Sequence, residues 1–374
     1  MISVFLLWLV ISYLGPLNPW IFIVLSLPAV LVGGYCTVNL ATYSYITDIR
    51  QESDRAWHFI WLQTVISVGH VCGYIVPFKM EHYYEYATIF GIATVANLIA
   101  ALYVLFFVPE SVTRREAKVR KNRTQTDLPN QHRNNRILNK KFLQPSCSSL
   151  FNLSLIKDMF ATCVRKRDGF DRVLIWCCVC VLAINALVGE GEWSILLEIT
   201  FNRFHWAVIK FFWYSIGVML LIIIGTILGG LICKALIDRS SFSYLLYLAP
   251  GSIAKSCATE SWHFYLSAFL GILGGLSGPV VRNALSKSAP PQDVGKVFSL
   301  TTSVEAIISL VSGRLYRMVY SHYMPPDYPS PVYPSPAYLV SVGFYAFVIL
   351  MTLTIKWRIS KMLKLKNPPL STPN

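Results

Sequence analysis

The chain has 374 residues, of which 54% are hydrophobic and only 14% charged, where an ordinary soluble domain carries about 25% charged residues. A soluble fold of this size has too little interior to hide that much apolar surface, so a bilayer must serve as solvent for much of it. The formal net charge of +14 sits in polar connections and in the C-terminal tail, not along aromatic-studded strands or a recognition helix, which argues against nucleic acid as a partner.

Taken in chain order, the first apolar stretch is Ile2–Leu14, short for a span of about 20 residues. No basic segment precedes it and Gly15-Pro16-Leu17-Asn18-Pro19 is not a small-x-small cleavage site, so it reads as a membrane helix rather than a signal peptide. Further spans are expected at Trp20–Ile46, Trp57–Phe78 and Tyr84–Val108, and after a long connection at Arg172–Gly189, Ala207–Cys233, Phe242–Thr259, Trp262–Leu285, Val297–Tyr320 and Ala337–Trp357. The chain then divides into a partial N-terminal bundle of four helices (1–108), a basic loop (109–171), a C-terminal bundle of six helices (172–358) and a tail (359–374). Cys177, Cys178 and Cys180 fall inside an apolar run; Cys177 and Cys180 stand at C-x-x-C spacing, but within a spanning segment they read as small buried residues in a helix rather than as a metal or redox site.

The loop sets the orientation. It contains Arg114, Arg115, Lys118, Arg120, Lys121, Arg123, Arg133, Arg136, Lys140 and Lys141, and basic loops stay on the cytosolic side. Counting outward from it places Lys234, Arg239, Arg282, Lys287, Lys296 and the tail lysines on the same side, while the connection Met324-Pro325-Pro326-Asp327 on the other side lacks basic residues. Between Thr113 and Ser149 the composition is that of a disordered segment, whose charge also suits anionic lipid. The sequons at Asn122 and Asn152 lie in this loop and are therefore expected to escape glycosylation.

Several local strings carry a resemblance. Gly33-Gly34 leads through Ala41-Thr42-Tyr43-Ser44-Tyr45-Ile46-Thr47-Asp48 to Arg55, and Pro109-Glu110-Ser111 closes the fourth span. The most specific stretch runs from Gly274-Gly275 through Pro279 and Arg282 to Ser286-Lys287, then Gly295-Lys296, Phe298-Ser299 and Glu305. Together they resemble solute carrier family 46, over nearly the whole chain apart from the loop. The resemblance implies an all-α polytopic membrane protein with a major-facilitator-type bundle. On that alignment about ten of twelve transmembrane helices are present and the first two are missing. It also implies a secondary active transporter of a small organic solute, anionic and folate-like, coupled to protons. Where the family has Arg-Thr-x-Arg this chain reads Arg55-Ala56-Trp57-His58, and Gln63 stands where a carboxylate is expected.

Charged side chains at membrane depth are costly and face a cavity or a partner. Glu305 is expected some eight residues into its span, roughly 12 Å deep, where desolvation suits a proton-binding carboxylate; its structural role would be to pair with Lys255 or Arg282. Arg282 either snorkels to the interface or, by the resemblance, serves substrate and proton, its guanidinium matching a carboxylate. Asp48 matches an acidic position of the family and is expected to pair with Arg50 or Arg55 as a latch, the alternative being a solvated carboxylate. Glu190 and Glu192 are expected to crown the outer end of Arg172–Gly189 as solvated acids or a cation entry. Lys255, beside Pro250-Gly251, is a candidate anion contact, and Lys210 a snorkelling one. Trp193, Trp206, Trp213 and Trp262 read as interface anchors, and Gly225/Gly229 and Gly274/Gly278 as close-packing pairs.

No phosphate loop, metal-ligand spacing or nucleophile with a base stands out, so no cofactor and no enzymatic reaction are expected. The partners expected are lipid, a small organic solute and protons. The rival reading is a non-transporting membrane protein that forms a homo-oligomer or assembles with a full-length homologue. The expected location is the plasma membrane, with an endolysosomal membrane as the alternative.

Overall fold

The computed structural model describes residues 20–31, 33–80, 86–111, 153–164, 172–235, 249–289, 293–323 and 335–366. Ile2–Leu14, the loop from 112 to 152 and the connection after Tyr323 lie outside the described residues. What is described is helical, with no strand among the described residues. Before the loop stand α1 (Trp20–Leu31), α2 (Gly34–Ile49), α3 (Arg55–Met80) and α4 (Tyr86–Phe107). After it come α5 (Leu153–Val164), α6 (Arg172–Phe204), α7 (Val208–Ala235), α8 (Ala249–Ser256) and α9 (Trp262–Leu270). A 3-10 turn at Ile272–Leu276 leads into α10 (Ser277–Ser288), followed by α11 (Val294–Tyr323) and α12 (Pro336–Lys366).

Seven stretches within these helices are long and apolar enough to cross a membrane. Their outward faces are what a bilayer requires: Leu102, Tyr103, Val104, Leu105, Phe106 and Phe107 of α4 are all exposed, and only a hydrocarbon solvent makes that arrangement favourable.

Four expected spans come out differently. Trp20–Ile46 is broken between α1 and α2, where Gly33 (φ 81°) and Gly34 (φ 47°) take left-handed conformations that a residue with a Cβ resists. Trp262–Leu285 is broken by the 3-10 turn, and Gly225 of α7 packs so closely there that a Cβ would strike the Ile272 carbonyl. Of Phe242–Thr259, the described part is the short α8. The largest departure is α6, which continues past Gly189 to Phe204 and so runs for 33 residues in all, about 50 Å at 1.5 Å per residue.

Two buried clusters organise the interior. One gathers Leu174, Cys178 and Leu182 of α6, Val281 and Leu285 of α10 and Phe298 of α11 against Tyr43 of α2 and Phe59 of α3. The other gathers Ile195 and Ile199 of α6, Trp206, Tyr214 of α7, Phe264 of α9, Tyr316 of α11 and Tyr338 of α12. Trp206 belongs to this second cluster. Expected as an interface anchor, it is 2% exposed, its indole N–H donates to Ser261 Oγ at 2.9 Å, and Lys210 stands over its ring at 4.7 Å. Trp213 and Trp262 are exposed, as anchors would be, whereas Trp193 packs partly against the second cluster.

Candidate functional site

α10 and α11 each carry one charge into the first cluster, and the fold brings the two together. The Arg282 Nη2 donates to both Glu305 oxygens, at 2.7 and 2.8 Å. Glu305 lies eleven positions beyond Val294, the first residue of α11, about 16 Å along the helix. The side chains keep 13% and 17% of their exposure, so the pair is largely desolvated. Of the two partners open to Glu305 from the sequence, the structure selects Arg282.

The guanidinium is also covered. Its Cζ stands 4.6 Å from the centroid of the Tyr43 ring, a cation–π contact from a helix that precedes the loop. Tyr43 is 2% exposed and held between Phe59, edge-on at 5.5 Å, and Phe298, stacked at 6.1 Å. Helices from both sides of the loop therefore meet at one ion pair. Two polar atoms there remain unused: Arg282 Nε and Asn283 Oδ1 are buried with no hydrogen-bond partner, and such atoms are rare in folded interiors. The arrangement offers a guanidinium edge to an oxyanion and a carboxylate to a proton.

A second charged cluster lies among α6, α8 and α12. Because α6 runs on to Phe204, Glu190 and Glu192 stand inside it rather than at its outer end. Glu190 is exposed. Glu192, expected as a solvated acid, is 7% exposed and accepts bonds from Ser252 Oγ at 2.5 Å and Lys255 Nζ at 2.8 Å. Lys255 thus pairs with Glu192 and not with Glu305. Sequence offered no signal for this pairing; Ser252 gave none at all.

Asp48, at the end of α2, accepts a hydrogen bond from Ser111 Oγ at 3.3 Å, which ties the segment after α4 to α2. Arg55, 9% exposed, donates to the carbonyls of Arg50 and Thr47 at 3.1 and 2.9 Å and so satisfies acceptors that the end of a helix leaves open. Tyr43 is the residue at the Arg282–Glu305 site that the sequence does not single out, although it lies in the string Ala41–Asp48 that carries part of the family resemblance. A cleft of about 570 Å³ between α6 and α11, lined by Ser194, Gly313, Arg314, Arg317, Met318 and Ser321, shares no residue with either ion pair.

Comparison with known proteins fits this architecture. The profile described as Major Facilitator Superfamily matches residues 1–313. The chain is 23% identical over 338 residues to the "Probable peptidoglycan muropeptide transporter SLC46" of Drosophila melanogaster, covering 88% of this chain and 60% of that protein. The chain thus spans less than two thirds of the length of this curated relative. Among solved structures, the human organic anion transporter MFSD10 (TETRAN) superposes with a TM-score of 0.64 at 15% identity, over 94% of this chain and 76% of the other; at that identity the likeness concerns the fold. With the family profile matched over most of its length, the chain belongs to the Major Facilitator Superfamily of membrane transporters.

Proposed function

We propose that the chain is a secondary carrier of a small organic anion, coupled to protons, with Tyr43, Arg282 and Glu305 at its central site. The observation that carries this reading is the Arg282–Glu305 pair: a desolvated ion pair between α10 and α11 in which one guanidinium nitrogen meets both carboxylate oxygens, bridged by Tyr43 to the helices before the loop. A proton arriving on Glu305 releases the Arg282 Nη2, and a solute carboxylate takes the vacated place on the guanidinium. Proton and anion then enter together with no net charge left in the hydrocarbon region, where an unpaired charge is costly.

Asp48, Ser111 and Arg55 form the latch at one end in this reading. The loop 109–171 and the tail after residue 358 face the cytosol, in the plasma membrane or an endolysosomal one. Carboxylate-bearing solutes, folate-like compounds and muropeptides among them, are the class to test. The test is uptake of radiolabelled folate and muropeptide by cells expressing this chain, in acid and neutral medium, beside Glu305→Gln. Acid-stimulated uptake that the variant loses supports the carrier. Absence of uptake with surface expression verified removes it, and leaves a non-transporting membrane partner as the reading.

A further inference from the structure

The Arg282–Glu305 site uses only part of the buried charge. On α11, Tyr316 packs against Gly191 so tightly that a Cβ on Gly191 would strike its ring. Glu192 is the next residue, so its level on α11 is that of Tyr316, eleven positions beyond Glu305 and about 16 Å away along the helix. The two ion pairs therefore occupy different depths: one nearer the end of the bundle at Asp48, the other nearer the end at Trp206.

Around Glu192 stand donors from several helices. From α8, Ser252 Oγ and Lys255 Nζ bind its two oxygens separately, at 2.5 and 2.8 Å. From α12, Tyr338 places its ring 5.9 Å from the Lys255 ammonium; it is 1% exposed, and its hydroxyl is buried without a hydrogen-bond partner. Tyr345 of α12 lies beside Ser252, and Tyr214 of α7 and Tyr316 of α11 also stand near the pair. The Tyr316 hydroxyl is engaged by Ser341 at 2.8 Å and that of Tyr214 by the Phe264 carbonyl at 3.3 Å. Lys255 is the cation bonded at this carboxylate, and its side chain keeps 22% of its exposure, so the cluster is not sealed.

This is the donor set of a carboxylate-binding cradle: one ammonium, one bonded hydroxyl and one idle hydroxyl. We propose that Ser252, Lys255 and Tyr338 form a second binding site for a small organic carboxylate, about 16 Å from the Arg282–Glu305 site, which Glu192 fills as an internal ligand until an external carboxylate replaces it. The exchange balances in charge. A proton neutralises Glu192, its oxygens leave the ammonium, and the incoming carboxylate restores the pair. A site at this depth receives the solute before or after the central one, so the solute crosses by two stations.

The test is calorimetric titration of propionate into the purified full chain at neutral and acid pH. It compares wild type, Glu192→Gln, Lys255→Met, the Glu192→Gln/Lys255→Met double variant and Arg282→Gln/Glu305→Gln. We expect wild type to bind at least tenfold more tightly in acid, in line with linkage to one proton. Glu192→Gln should bind at both pH values, and both variants that lack Lys255 should bind one propionate fewer than wild type. Arg282→Gln/Glu305→Gln should keep the acid-dependent binding, which separates this site from the central one whatever transport assays give. Should Lys255→Met fail to fold, the double variant, which buries no lone charge, gives the same answer. A double variant that binds as many propionates as wild type, or failure of Arg282→Gln/Glu305→Gln to bind in acid, overturns the proposal.

Discussion

Arg282 has two neighbours of unequal worth. The carboxylate of Glu305 supplies charge at 2.7 Å, and breaking a buried pair by removing one partner costs about 3–5 kcal/mol. Tyr43 supplies only its ring face, worth about 1 kcal/mol when partly desolvated, but that face fixes where the guanidinium points. Tyr43→Leu is therefore expected to lower solute uptake about fivefold, the equivalent of about 1 kcal/mol, while Tyr43→Phe keeps the ring and leaves uptake near wild type. Equal losses in both variants, measured as initial uptake rates at matched surface expression, would show that the hydroxyl and not the ring matters. The chemistry of single residues was partly legible in the sequence, since Arg282 and Glu305 are costly at membrane depth wherever they point. Their partners were not. Glu192 and Lys255 stand 63 positions apart, and only the packing of both α6 and α8 against α12 decides that they meet.

At the scale of an element, the ends and breaks of helices carry the information. α6 terminates at His205, a non-glycine residue with φ 48°, after which the Trp206 N–H returns to the Thr200 carbonyl at 3.1 Å. Glycine adopts that conformation at lower cost, so His205→Gly is expected to raise stability by about 0.5–1 kcal/mol, read as a higher unfolding temperature in detergent. α7 offers a sharper contrast. A Cβ at Gly225 meets the Ile272 backbone, whereas at Gly217 nothing lies within 4 Å. Gly225→Ala should destabilise by about 1–3 kcal/mol and Gly217→Ala should stabilise by about 0.5–1 kcal/mol; similar unfolding temperatures for the two would refute the packing described for the 3-10 turn.

Hydropathy gave the long helices because their apolar runs exceed a bilayer's width, and it gave α3, α4, α7 and α11 to within a few residues. It misplaced the end of α6 because Glu190 and Glu192 interrupt the apolar run, although the buried one is satisfied by Ser252 and Lys255. It could not see the break at Ile272–Leu276, since this 3-10 turn, packed against α7, is as apolar as the helix it interrupts. Trp206 deceived for a similar reason: its place between two helices matches an interface anchor, while its burial depends on α9 bringing Ser261 to its indole.

Across the whole molecule, helices from the two sides of the loop touch at both ends of α3. Near its start, Phe59 meets Tyr43 and Phe298 beside the ion pair. Towards its end, Phe78 stacks on Phe212 of α7 at 3.8 Å and Tyr74 meets Trp193 of α6. In the proposed carrier, rocking opens one of these contacts while the other stays closed, and the Arg282–Glu305 pair beside the first reports whether proton and solute are both aboard. This links the charge of Glu305 to direction: with the carboxyl permanently neutral, solute can still cross, but a proton gradient has nothing to act on. The decisive measurement is solute accumulation in proteoliposomes holding the purified chain, with and without an inward proton gradient, for wild type and Glu305→Gln. The account predicts gradient-driven accumulation by wild type and, for the variant, equilibration to equal concentrations that ignores the gradient. Accumulation by Glu305→Gln that still follows the proton gradient would contradict it.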